Sequence, residues 1–182
     1  MGRAEDSYKR YLNGHDEAFE DIVELYYNNL IFFAEGYLHD HGAAEEAALD
    51  ALLELMIHPK RYSFRSSLKT YLFAVVRNKA LSALRRRRAE RLVPLESASG
   101  VPQEDVSSAV IENELRRRVA EAVSKLPEDM RLAVHLVYFE GMTYSEAAFV
   151  LKKTVKQVDN LIFRGKKELK ELLGPEAAEL LQ

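Results

Sequence analysis

The sequence predicts an all-α protein: two small helical domains joined by a flexible linker, the C-terminal one built around a helix-turn-helix. Three observations predict it. Apolar residues recur at three- and four-residue steps along most of the 182 residues, and no segment shows a strand pattern. Residues 93–108 interrupt that periodicity with Pro, Ser and acidic side chains, which is linker composition. Thr143-Tyr144-Ser145-Glu146 is followed, eleven residues on, by Thr154-Val155-Lys156-Gln157. Each tetrapeptide fits a capping box, so the first helix holds only about two turns before a short turn and a second helix.

Taken in order, Asp16 to Tyr37 forms the first predicted helix, with Phe19, Ile22, Val23, Tyr26, Leu30 and Phe33 on one face. His39-Asp40-His41-Gly42 breaks it. Two histidines flanking an aspartate could ligate a metal, but no third ligand is evident nearby, and the segment reads as a polar loop. A second helix, about Ala43 to Ile57, carries an apolar stripe of Leu49, Leu52, Leu53 and Met56 beside an acidic one of Glu45, Glu46, Asp50 and Glu54. Carboxylates on a long helix with no nucleophile or cleft beside them read as a solvated or partner-binding face. Pro59 ends the helix by pushing His58 out of helical geometry.

Residues 60–88 change character. Arg61, Tyr62, Phe64 and Arg65 interleave aromatic and basic side chains, and Ser66-Ser67 offer caps for a helix running to about Arg88. Leu68, Leu72, Val75, Val76 and Leu84 point to a core, leaving Lys69, Tyr71, Arg77, Asn78 and Lys79 as a polar, basic and aromatic surface. Single-stranded nucleic acid needs such a mixture, because unstacked bases lie on rings while phosphates meet cations. Read singly, Tyr71 and Phe73 are better explained as core residues; as a cluster with the cations they fit either reading equally. Arg85–Arg88 is either a solvated helix end or a phosphate contact.

Beyond the linker, Leu115, Val119, Ala122, Val123 and Leu126 make a helix that stops at Pro127. Pro127-Glu128-Asp129 opens the next, with proline in the first turn and acids at the positive end of the dipole. It carries Met130, Val134, Val137 and Tyr138 inward and runs to Gly141. In the helix-turn-helix, Ala147 is small where the helices cross. Val155, Val158, Ile162 and Leu169 form the packing stripe of the second helix, and Lys153, Lys156, Gln157, Asn160, Arg164 and Lys167 a donor-rich face. Gln and Asn can read adenine edges in a major groove; Lys and Arg reach guanines or phosphates. The tail after Gly174-Pro175 could add a short helix.

The net charge of −3 conceals a strong segregation. Residues 1–58 hold 3 basic and 13 acidic side chains, residues 60–91 hold 11 and 1, and residues 141–170 hold 7 and 3. Two basic segments separated by acidic surface fit two contacts with a polyanion. The absence of cysteine excludes disulfides and thiolate metal sites, and no apolar run is long enough to span a membrane, so a cytoplasmic protein without membrane insertion is expected. No metal, cofactor or catalytic constellation is implied.

Four segments in order resemble the extracytoplasmic-function (ECF) group of the sigma-70 family of bacterial RNA polymerase sigma factors. EAFEDIVELYYNNL resembles the opening helix of the family's first domain, and AAEEAALDALLELM its acidic polymerase-binding helix. SFRSSLKTYLFAVVRNKALSALRRRR resembles the promoter-melting and −10-reading segment. VSKLPEDMRLAVHLVYFEGMTYSEAAFVLKKTVKQVDNLIFRGKKEL resembles the −35-reading domain. The resemblance implies a region 2-like domain at 1–92, a linker at 93–108 and a region 4-like domain at 109–182. It gives Glu46, Asp50 and Leu53 the docking on the β′ clamp of core RNA polymerase. Arg61, Tyr62, Phe64 and Arg65 would lie in a loop that captures a flipped −10 base, and Lys69, Thr70, Tyr71, Arg77 and Asn78 would hold the rest of the opened strand. Thr143, Lys153, Lys156, Gln157, Asn160, Arg164 and Lys167 would meet the −35 duplex. The implied partners are core polymerase, at its β′ clamp and β flap, promoter DNA and an anti-sigma protein.

The chain departs from the family pattern at Ser82, where Asp is usual, and at Lys152 and Lys153, where Gly and an apolar residue are common. It also carries Asp159, Asn160 and Leu161 in place of Lys-Ser-Arg. These bear on which promoter is read. The rival reading is a stand-alone helix-turn-helix regulator that binds an operator as a homodimer. An enzyme using the carboxylates is a third, but it lacks a convincing ligand set.

Overall fold

A computed structural model describes residues 2–91 and 112–173, with side chains at 2–90 and 118–173. The expected linker at 93–108, the side chain of Leu115 and the tail beyond Gly174 lie outside the described residues. The chain splits into two units, Met1–Pro102 and Gln103–Gln182, and every regular element among the described residues is helical.

The first unit opens with α1 (Arg3–Leu12), which periodicity did not reveal. Only Ala4, Ser7 and Tyr8 of this helix are buried, a stripe too short to register as a helical repeat. Its polar groups tie it down: the Ser7 hydroxyl donates to Asp21 at 2.7 Å, and the Glu5 carboxylate accepts from the backbone N–H of Leu68 at 2.7 Å. Next, α2 (Ala18–Leu38) buries Phe19, Ile22, Tyr26, Leu30 and Phe33 as the spacing predicts, with Val23 half-buried. It ends at His39 in the left-handed region (φ 49°). Asp40 then caps α3 (His41–Ile57) by accepting from the N–H of Ala43 at 2.9 Å, so α3 starts two residues earlier than expected.

The apolar stripe of α3 is not its buried face. Leu52 is buried, but Leu49, Leu53 and Met56 are exposed. The buried face is instead Ala44, Ala47, Ala48, Ala51, Leu52 and Leu55. Small alanines let α3 lie close to α2 and α4, and the large side chains that dominate a periodicity count point outward. The last helix of the unit, α4 (Leu68–Arg91), begins where Ser67 Oγ accepts from the N–H of Thr70 at 3.1 Å, and buries Leu68, Leu72, Phe73 and Val76. Val75 and Leu84 are only half-buried.

The second unit holds α5 (Glu112–Ser124), α6 (Glu128–Val134), α7 (Tyr144–Leu151) and α8 (Val155–Leu173). Arg131 reaches back to the carbonyls of Ser124 and Leu126 and closes the turn at Pro127. A π-helical turn, His135–Phe139, extends α6. Its wider winding alters the expected inward set: Met130 and Val134 are buried, but so are His135 and Leu136, while Val137 and Tyr138 are half-buried. α8 packs on α6 at Gly165, where an added Cβ would come within 3.0 Å of Val134 Cγ2. Val158, Ile162 and Leu169 line the buried face of α8, whereas Val155, in its first turn, is 47 % exposed and lies off the predicted stripe.

Candidate nucleic-acid interfaces

In the first unit a turn of 3₁₀-helix, Pro59–Arg61, leads into the aromatic loop. Tyr62 is 4 % exposed, and its hydroxyl donates to the carbonyl of Ser66 at 2.9 Å. Its ring lies 5.6 Å from that of Tyr8, 4.6 Å from Phe64 and 5.1 Å from Tyr71. From below, the Tyr8 hydroxyl donates to the carbonyls of Leu55 and Pro59 at 3.2 and 3.4 Å. Burial pushes the Tyr8 and Tyr62 hydroxyls up to about 12, so both remain donors at physiological pH. Phe64 emerges from this stack 40 % exposed at φ 57°, a conformation that costs a non-glycine residue about 1 kcal/mol or more.

The sequence-predicted residues divide by place. Tyr62, Phe64 and Tyr71 come together, with Phe64 and Arg65 reaching the surface. Arg61 is held by Glu54 at 2.7 Å, and Lys79 meets the other oxygen of the same carboxylate at 2.7 Å. Those partners, Lys79 foremost, hold the Glu54 carboxyl below its ordinary range. Thr70 is buried, with its hydroxyl 2.7 Å from that of Ser67, so it supports the start of α4. The helical step of about 100° puts half-buried Tyr71 on one stripe of α4 with the exposed Asn78 and Ser82, buried Thr70 and half-buried Arg77 on a second, and Lys69 round the opposite flank. Arg77 Nε is buried without a hydrogen-bond partner among the described residues. Farther along α4 the arginine run folds back on α3: Arg87 meets Asp40 at 3.1 Å and Arg86 meets Glu46 at 3.8 Å. Asp40 is thereby engaged twice, and His41, already in the first turn of α3 and not in the expected loop, pairs with Glu35.

On α3, Leu49, Leu53, Met56 and Ile57 form an outward apolar strip bordered by Glu46 and Asp50. Exposing four large apolar side chains on one helix marks a contact surface.

In the second unit both capping boxes are made. Thr143 Oγ1 accepts from the N–H of Glu146 at 3.2 Å, and the Glu146 carboxylate accepts from the N–H of Thr143 at 2.9 Å. Thr154 and Gln157 repeat this at 3.2 and 2.8 Å, so the Gln157 carbonyl oxygen is spent on the cap. Between them Lys152 takes the left-handed turn at φ 53°. On α8, Lys156, Asn160, Arg164 and Lys167 are exposed and stand opposite the buried stripe. Phe163 is 72 % exposed at the edge of that face, about 20° round the helix from Lys156. Sequence reasoning passed over it, although counting on from Lys156 and Asn160 by helical steps would have found it. Lys153 is engaged with Asp129 at 2.9 Å. Among the described residues there is no group of metal ligands and no helix long and apolar enough to cross a membrane.

Two family profiles match the chain, Sigma-70 region 2 over residues 22–90 and Sigma-70, region 4, over residues 116–169. The chain belongs to the sigma-70 family. Its similarity is to the ECF group. It is 25 % identical over 153 residues to the ECF RNA polymerase sigma factor SigM of Bacillus subtilis, covering 84 % of this chain and 93 % of that one. It is 27 % identical over 177 residues to the RNA polymerase sigma-H factor of Pseudomonas aeruginosa, covering 92 % of each. Among solved structures, the sigma factor RpoE of Bartonella quintana in complex with the anti-sigma factor NepR superposes with a TM-score of 0.63 at 26 % identity, over 85 % of this chain and 96 % of that one.

Within this sigma factor three of the departures from the family pattern can be placed. Ser82 Oγ accepts from Arg85 at 3.3 Å, a neutral contact where an aspartate would make an ion pair. Lys152 supplies the left-handed turn that glycine usually takes. Asp159 is exposed, about 100° round α8 from the buried Val158.

Proposed function

We propose that this sigma factor binds core RNA polymerase and directs promoter-specific initiation, reading the −10 element as melted single strand and the −35 element as duplex. The observation that carries the reading is the exposed apolar strip of α3 with its acidic border, because neither DNA surface explains it. Glu46, Asp50 and Leu53 dock there on the β′ clamp, with Leu49, Met56 and Ile57 widening the contact. In the region 2-like domain, 1–92, Phe64, Arg65 and Tyr71 meet the opened strand, supported by Tyr62, while Asn78 and Arg77 continue the surface along α4. Extruding a base costs a few kcal/mol, which stacking on such rings offsets. In the region 4-like domain, 109–182, α8 lies in the major groove, with Asn160, Lys156, Arg164 and Lys167 as donors and Phe163 available to a thymine methyl. Residues 93–108 link the two domains. The protein works in the cytoplasm without catalytic chemistry of its own, and an anti-sigma protein covers its docking faces when it is held inactive. The solved relative's complex with an anti-sigma factor supports that last point.

The test is co-elution of the full chain with bacterial core polymerase, beside a double variant Asp50→Arg, Leu53→Ala. Both positions are exposed, so the variant keeps its fold. Stoichiometric binding that the variant loses is the expected result. A dimer that ignores core polymerase and shifts duplex DNA alone would replace this reading with the stand-alone regulator.

A further inference from the structure

The N-terminal helix α1 has no part in the reading above, yet it packs against the aromatic loop and the start of α4. Glu5 accepts from the N–H of Leu68, at the start of α4, and from the N–H of Gly2 at 3.0 Å. Tyr8 packs against Tyr62 and lies 6.1 Å from the ring of Phe64. The three cations of α1 then go two ways. Arg3 and Arg10 turn to the carboxylates of Asp21 and Glu17 on the α2 side, each at 3.7 Å. Lys9 turns to the loop instead, its Nζ 5.8 Å above the ring of Phe64.

That distance is near the outer limit of a cation–π contact, and both groups are exposed. A ring presented to solvent at positive φ, with an ammonium over it and a helix behind, has the parts of a nucleotide site. A base offers a π-face to the ring and a phosphate to the cation. We propose that Lys9 and Phe64 together bind one unstacked nucleotide of the opened strand: the base displaces the ammonium from the ring, and Lys9 swings on its four-carbon stem to the adjoining phosphate. The sequence places Lys9 outside both basic segments, and only the fold of α1 brings it there. The inference rests on the reading of the loop as a single-strand contact.

The test uses the holoenzyme assembled from this sigma factor and core polymerase. The probe is a fork DNA with a single-stranded non-template overhang, drawn from promoters that the unsubstituted holoenzyme selects from a random pool. Lys9→Met keeps the length and apolar stem and removes the charge; Phe64→Ala removes the ring. Lys9→Met is expected to weaken the fork complex about five- to tenfold and to reduce the slope of log affinity against log salt by about 0.7, one phosphate contact to a single strand. Core binding stays unchanged. The decisive readout is a set of probes with a single neutral methylphosphonate placed along the overhang. One position should weaken the unsubstituted holoenzyme as much as Lys9→Met does, and add nothing in that variant. If Phe64→Ala weakens binding while Lys9→Met matches the unsubstituted protein in affinity and salt slope, the role of Lys9 is overturned and the loop reading stands. If both substitutions leave the fork complex unchanged, the loop reading itself falls.

Discussion

The two surfaces assigned to DNA are built in opposite ways. The aromatic surface of the first unit is continuous with its core: Tyr62 is buried, Tyr71 half-buried, and Phe64 rises from the same stack in a left-handed conformation. In the second unit, Lys156, Asn160, Phe163, Arg164 and Lys167 stand opposite the buried stripe of α8 and share nothing with it. An opened strand has no fixed shape, so the protein must supply one. A duplex groove is already shaped, and a straight helix with a row of donors is enough for it. Substitutions should therefore mix stability with binding in the first unit and separate them in the second.

The largest expected effect is at Tyr8. Tyr8→Ala removes a fully buried ring and two hydrogen bonds beneath the loop, and should cost about 3–5 kcal/mol of the first unit's stability. Amide hydrogen exchange resolved by peptide would show lost protection across α1, α3 and α4. Tyr8→Phe, which keeps the ring, should lose only about 1 kcal/mol. Equal losses in the two variants would contradict the packing role of the ring.

Acid should distinguish the units next. Burial lowers the pKa of His135 from 6.5 to about 4, with the Glu140 carboxylate 3.5 Å away. The unfolded chain therefore takes up the proton more readily than the folded one. The contribution of neutral His135 is intact above about pH 6.5 and is lost as pH falls toward 4, to a total of about 3 kcal/mol. In the first unit, Asp40 and Glu54 are held below the ordinary carboxylate range, so their contributions persist until lower pH. Exchange protection between pH 7 and 4 should fail first in the second unit, and His135→Phe should remove that step. Simultaneous loss in both units would refute the assignment.

Phe163 tests the separation directly. Phe163→Ala should change stability by less than about 0.5 kcal/mol, because the ring is mostly in solvent, yet weaken holoenzyme binding to duplex −35 DNA by about 1 kcal/mol if the ring meets a thymine methyl. Asn160→Ala should behave alike, with a loss of 1–3 kcal/mol confined to one base position. A melting shift of several degrees in either variant would show that the face is not independent of the core.

The same contrast explains what the sequence revealed. Most of the helix-turn-helix was legible, since capping boxes and donor faces are local patterns: Thr143–Glu146 and Thr154–Gln157 pair as their spacing implies, although Val155 is exposed and Phe163 stands among the donors. The first unit was less so. Its buried α3 face is made largely of alanines, which carry little weight in a hydrophobic periodicity, whereas Leu49, Leu53 and Met56 of the conspicuous apolar stripe face outward. The support of Leu68 by Glu5, 63 positions earlier, leaves no local trace. The π-turn at His135–Phe139 likewise shifts the inward register without an obvious residue signal.

The smallest effect concerns the turn between α7 and α8. Lys152 holds φ 53°, where a side chain other than glycine or asparagine is strained by about 1 kcal/mol. Lys152→Gly removes that strain but gives the unfolded chain more freedom, so the net gain should be about 0.5 kcal/mol. His39, at φ 49° where α2 ends, is the matching position in the first unit, and His39→Gly should gain a similar amount there. Both residues are exposed and their backbone N–H groups, not their side chains, close the helix ends. What separates them is charge. Lys152 adds a cation beside the proposed duplex face, so Lys152→Gly should also lower the salt slope of −35 binding if that cation meets a phosphate, whereas His39→Gly should leave the salt dependence of promoter binding unchanged. Thermal stability raised in both with the salt slope altered in neither would assign Lys152 to the turn alone and leave DNA contact to α8.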